Sequence, residues 1–149
     1  MTANIPFPAH PFGQQIDQHN IEQRLAQANG WEAKNRLLVQ LARELPDWPA
    51  ELRTQERLVS GCESRVWLHI REDRGHFQIS ADSDSRIVKG LLTLVLTAYH
   101  DKTTGEIASF DLERWIEKLG LLRFLSASRG NGLRAITREI VQQTQYPHQ

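Results

Sequence analysis

The stretch "RVWLHIREDRGHFQISADSDSRIVKGLLTLVLTAYH", Arg65 to His100, changes its apolar period halfway along, and that change decides the fold. In the first part Val66, Leu68 and Ile70 alternate with Arg65, Trp67, His69 and Arg71, the pattern of a half-buried strand. "EDRG" supplies a turn, and Phe77, Ile79 and Ala81 then alternate again, so the two runs form a hairpin. Beyond it Ile87, Leu91, Leu94, Val95 and Ala98 fall at helical spacing in a segment that is apolar almost all round. This predicts a buried helix capped by Ser83 or Asp84. Thr93, Val95 and Thr97 leave a buried strand as the competing reading.

The flanks are helical. A first helix is expected from about Asn20 to Asn29, with an Asn20–Gln23 capping box and Gly30 as its stop. A second runs from about Trp31 to Leu45, where Pro46 ends it. "PDWPAEL" is then a loop, and a short strand near Arg57 to Val59 is expected before the hairpin. After the buried helix, Thr103 with Glu106 forms a second capping box, Asp111 caps "LERWIEKLG", and a last helix starts after Ser128. Residues 1–16, with Pro6, Pro8, Pro11 and Gly13, read as an irregular arm. The expected fold is α+β over a single domain, residues 1–149: a small antiparallel sheet with helices packed on one face.

Charge narrows the function. Lysine plus arginine and aspartate plus glutamate both number 18, so the chain is formally neutral and lacks the basic excess of a nucleic-acid binder. Its most apolar run, Gly90 to Tyr99, is about half of what a spanning helix needs, so no membrane association is expected. "MTANIPFPAHPFG" is not built as a secretory signal. A cytoplasmic protein is expected.

One cysteine stands in the chain, Cys62, within "LVSGCESRVWL". Alone it makes no internal disulfide and lacks the resolving partner of a disulfide oxidoreductase. One thiol and scattered histidines do not make a zinc or iron–sulfur site, so no metal or cofactor is expected. A cysteine hydrolase would need His69, His76 or His100 brought close by the fold. A lone cysteine is most often a small buried hydrophobe. Here, however, Gly61 permits a bend, and Glu63, Ser64 and Arg65 suit a loop beside a rigid hairpin. One reaction needs a single thiol: attack on the outer sulfur of another protein's persulfide. Arg65 and Arg129 are candidates to favour the thiolate.

Three segments, "LVSGCESRVWL", "DSDSRIVKGLLTLVLTA" and "LGLLRFLSASRGNGLRAI", together resemble the SufE family of sulfur acceptors, from about Pro11 to Val141. The similarity is greatest to the branch that partners the desulfurase CsdA. The resemblance implies a fold shared with the scaffold proteins of iron–sulfur assembly. It implies a CsdA- or SufS-like cysteine desulfurase as partner, which carries the pyridoxal phosphate, so that this chain needs no cofactor of its own. It further implies that Cys62 takes sulfur as a persulfide, stimulates the desulfurase and relays the sulfur. The downstream acceptor would be a SufBCD-like scaffold or a CsdL-like E1-type enzyme, serving cluster assembly or tRNA modification. Such a chain is an accessory persulfide carrier rather than a stand-alone enzyme.

Around the thiol Gly61, Glu63, Arg65 and Trp67 match the family pattern; further along, Arg86, Gly90, Ser128, Arg129 and Gly132 match. Gly90 also reads as close helix packing, Ser128 as a cap, Arg86 and Arg129 as surface ion pairs. Trp67 reads either as packing under the N-terminal helices or as part of a partner-facing patch. A non-covalent activator of a desulfurase, with Cys62 as core packing, is the alternative function. In the free protein Cys62 is expected against Val59, Val66 and Trp67, over a floor of Leu91 to Leu96, on a loop that swings at Gly61.

Overall fold

The computed structural model describes residues 7–125 and 127–145. Its sheet is the expected hairpin: β1 (Val66–Asp73) and β2 (His76–Ser83) pair antiparallel from Val66 opposite Ser83 to Asp73 opposite His76. Arg74 and Gly75 make the turn, both at positive φ, the geometry that matches the twist of a two-residue hairpin. In this register Val66, Leu68 and Ile70 share a face with Ala81, Ile79 and Phe77.

The apolar segment after the hairpin is the helix α3 (Arg86–Tyr99), buried at every position from Gly90 to Tyr99. Its threonines fit a helix because each hydroxyl finds a carbonyl one turn back: Thr93 Oγ1 donates to Gly90 O at 2.6 Å and Thr97 Oγ1 to Thr93 O at 2.7 Å. The cap is Ser85, whose side chain accepts from Val88 N, and not Ser83 or Asp84. The reason is that Ser83 still belongs to β2; its hydroxyl donates to Arg65 O at 2.7 Å and closes the end of the hairpin. The helix therefore begins only after the strand has let go.

Before the sheet come α1 (Gln18–Ala26) and α2 (Gly30–Ala42); after α3 come α4 (Thr104–Ser109), α5 (Leu112–Lys118) and α6 (Ala127–Gln145). Asp17 caps α1 by accepting from Asn20 N, so Asn20 lies within the first turn and the expected Asn20–Gln23 box does not form. Gly30 opens α2 rather than closing α1. The Thr103–Glu106 box and the Asp111 cap are both present. α6 begins one residue before Ser128 instead of after it.

The helices lie against one face of the hairpin, but the other face is not bare. Trp48 and Leu52, from the loop after α2, pack there with Trp67 of β1. Asp82, fully buried, fastens this cover: it accepts from Trp48 N at 3.0 Å and from Arg53 Nη2 at 2.8 Å, and Trp48 Nε1 donates to Ser80 Oγ. Trp67 is only 5% exposed, flanked by the guanidiniums of Arg53 and Arg65. It thus sits neither under the N-terminal helices nor in an outward patch. The short strand expected at Arg57 to Val59 reduces to a 3-10 turn at Gln55–Arg57 and a single bridge from Leu58 to Trp67.

Within the N-terminal arm, Phe12 and Ile16 are core residues and the stretch before them is pinned to β2. His10 Nε2 lies 2.6 Å from Ile79 O, its ring edge-on to His100 at 4.4 Å, and Ser80 Oγ donates to Pro8 O. Burial lowers the His10 pKa from 6.5 to about 4, and His100 is lowered in the same direction for the same reason. Between those pH values the unfolded chain binds the proton that the folded one refuses, so stability rises with pH across the window. Denaturant midpoints should fall as pH drops from 6.5 towards 4, and His10→Gln should fall less. Superimposable pH profiles for parent and variant would contradict a buried neutral His10.

Candidate thiol site

The chain reaches the thiol through a bend. Val59 N still donates to Val66 O at 2.8 Å; the backbone then turns through Gly61, at φ +92°, where a Cβ would also come within 3.3 Å of Ala135 Cβ on α6. Only glycine takes both that conformation and that approach readily. The bend delivers Cys62 against the flank of α6, with Sγ 3.5 Å from Gly132 O. Gly132 lies directly under this seat: a Cβ there would be in ordinary contact with Sγ at 3.6 Å, and anything larger would compete with the sulfur for the space.

Beside Sγ is a cavity of about 50 Å³, walled by Val66, Val88, Leu91, Val95, Leu133 and Ile136. Its polar lining comes from Glu63, Ser64, Ser128 and Arg129. Burial raises the thiol's pKa, so at neutral pH the group is held protonated and slow to react. The thiol can donate its hydrogen to the Gly132 carbonyl.

The structure brings together Cys62, Glu63 and Arg129 in the lining, with Gly61 as the bend. Arg65 is elsewhere: its Nε donates to Asp84 Oδ2 at 2.9 Å, and its guanidinium lies against Trp67. Arg86 lines a different groove, between α2 and α3. Of the expected surroundings Val66, Leu91, Leu92 and Val95 are present, whereas Val59, Trp67, Leu94 and Leu96 do not line the cavity. Val88, Leu133 and Ile136 were the unforeseen walls; the helical spacing of Leu133 and Ile136 was legible, but not which neighbour they face. His69 and His100 gather around Phe7, and no histidine lines the thiol cavity. Among the described residues no group of three or more His, Cys, Asp or Glu is placed to hold a metal, and no helix is long and apolar enough to cross a membrane. What this site offers is a single half-buried nucleophile, packed against the core, with no histidine in the cavity lining to activate it.

The profile of the SufE family, described as an Fe-S metabolism associated domain, matches residues 19–144. The chain belongs to this family. It is 38% identical over 142 residues to the sulfur acceptor protein CsdE of Escherichia coli strain K12, covering 95% of this chain and 97% of that one. A solution structure of a hypothetical protein from Thermus thermophilus shares the fold, with a TM-score of 0.67 and 17% identity over 84% of this chain and 93% of that one.

If Gly132 is what lets the thiol seat, enlarging it should unseat the sulfur. Gly132→Ala should keep Cys62 slow to alkylate, since its added carbon makes only ordinary contact. Gly132→Val adds carbons that compete for the place of Sγ; alkylation should quicken and its pH midpoint should move down. Identical pH–rate profiles in the valine variant and the parent would contradict this seating.

Proposed function

We propose that this protein is a sulfur carrier: Cys62 accepts sulfur from the persulfide of a cysteine desulfurase and holds it for a later acceptor. The observation that supports this most is the single thiol on a glycine bend, against an apolar cavity, with no histidine in the lining. Such a thiol is poorly equipped for hydrolysis, which needs a base. It is suited to an exchange in which the donor brings its own leaving group.

In that exchange the Cys62 thiolate attacks the outer sulfur of the donor's persulfide. A new S–S bond forms on Cys62, the donor's S–S bond breaks, and the donor cysteine leaves as a thiolate that takes up a proton. One disulfide-type bond replaces another, so no external oxidant or reductant is needed. Pyridoxal phosphate does its work on the desulfurase, and the carrier has no cofactor of its own. A second sulfur beside Sγ needs more room than a water, whose threshold is roughly 10–15 Å³, and the cavity of about 50 Å³ leaves that margin.

Gly61 serves as the hinge, and Glu63 lies beside the thiol where a partner would arrive. Arg129, from the first turns of α6, supplies a cation to the cavity lining and is the candidate to steady the thiolate or the docked donor. Arg65 could contribute only after leaving Asp84. The sulfur then passes to a SufBCD-like scaffold or a CsdL-like enzyme, within the cytoplasm.

Incubation with L-cysteine and an active CsdA- or SufS-like desulfurase should add one sulfur atom to the intact mass, removable by dithiothreitol and absent in Cys62→Ser. An unchanged mass with both desulfurases active would overturn the carrier reading. Sulfur relay that survives Cys62→Ser would instead make the chain a non-covalent activator. Arg129→Ala should slow transfer by about tenfold or more, on the order of 1.4 kcal/mol. A merely structural surface pair would change stability by roughly 0–1 kcal/mol and leave transfer intact.

A further inference from the structure

A second concavity lies across the first turns of α3 from the thiol: a groove of about 580 Å³ between α2 and α3. Leu38, Leu45 and Gly90 contribute buried floor. Among the described residues the exposed large apolar side chains are Val39, Ile87 and Leu122, and the first two, at 47% and 54%, line this groove. The lining also holds Arg43, Arg86, Lys89 and Asp47. Lys89 and Asp47 are paired with each other. Arg43 and Arg86 make no ion pair among the described residues, so the groove is apolar with a positive rim.

The fold accounts for Arg43, which caps the C-terminus of α2, where the helix dipole favours a cation. It does not account for Arg86. That residue opens α3, at the end where aligned peptide dipoles already place positive charge, and a guanidinium there works against the helix. Its neighbour Ile87 holds an apolar side chain in water. Two adjacent residues, each unfavourable to the free chain, meet on one groove, and the next residue, Val88, lines the thiol cavity.

From this we infer that the α2–α3 groove is a docking site for the sulfur donor, and that it receives an apolar segment of the desulfurase flanked by carboxylates. The charge of the rim selects acidic over basic partners. Arg86 and Ile87 of the groove directly precede Val88 of the thiol cavity on α3, so a protein seated in the groove stands close to the thiol, and the donor is the first partner the carrier reading brings there. The inference rests on the carrier reading and identifies the contact by which the donor is recognised.

The test is affinity for a cysteine desulfurase that lacks its own persulfide-forming cysteine, measured for the parent, Arg86→Glu and Ile87→Asp. Both substitutions put an acid in the first turn of α3, so thermal melting should show stability kept or raised. Binding should nevertheless weaken by about tenfold or more, with Arg86→Glu acting largely on the association rate and flattening the salt dependence. Alkylation of Cys62 in the free variants should match the parent. Unchanged affinity in both variants would overturn the inference while leaving the carrier reading intact. Intact binding with lost onward transfer would also overturn it, by reassigning the groove to the downstream acceptor. A parent that fails to bind the desulfurase would remove the carrier reading and this inference together.

Discussion

The structure depends on a helix that cannot be left in water. α3 buries Leu91, Leu92, Leu94, Val95 and Leu96 completely or nearly so. Burial of five such side chains is on the order of 10 kcal/mol, comparable with the net stability of an ordinary domain. Every neighbour is arranged to cover it. The hairpin lies on one side and α2 on another, where Gly90 lets Leu38 approach to distances at which a Cβ would be in contact at 3.5 Å. α6 closes a third side, and Cys62 sits where β1, α3 and α6 converge. The thiol's environment is thus a consequence of how the core is closed.

That position reconciles two readings of a lone cysteine that otherwise compete. Packing and chemistry are not alternatives here, because the apolar walls that seat the thiol also hold it protonated. A half-buried thiol with a raised pKa is slow to react by itself, which suits the proposed carrier, whose sulfur is to move only when a donor docks. The supporting bonds are unequal in strength. The bend at Gly61 is held from behind by the Val59–Val66 hydrogen bond, whereas Cys62, packed against the core, has for its hydrogen bond to α6 a long one to Gly132 O. Hydrogen bonding thus holds the root of the loop more firmly than its tip.

Much of this was legible in the sequence because period is a strong signal. The alternation from Val66 to Ile70 and from Phe77 to Ala81 gave the hairpin and its core face, and the apolar run after it gave the buried helix. Boundaries were less legible where one residue had two possible employers. Ser83 looked like a helix cap and is instead the last residue of a strand. Trp67 was unreadable because its cover, Trp48 and Leu52, comes from a loop with no period at all. At the site, Cys62 and Gly61 stood out by chemistry and conformation. Arg65 and Arg86 did not reveal their directions: one is turned away by Asp84, a partner 19 residues along, and the other faces a groove formed by a separate helix.

The central claim is that the acceptor thiol rests shielded and is drawn out by the docking of its donor. Alkylation of Cys62 tests it most directly, comparing the free protein with the protein saturated by a desulfurase that binds but cannot load sulfur. The account predicts slow alkylation in the free protein and a clear acceleration on docking. A thiol that alkylates in the free state as fast as an unhindered cysteine, or at a rate indifferent to the desulfurase, would contradict it.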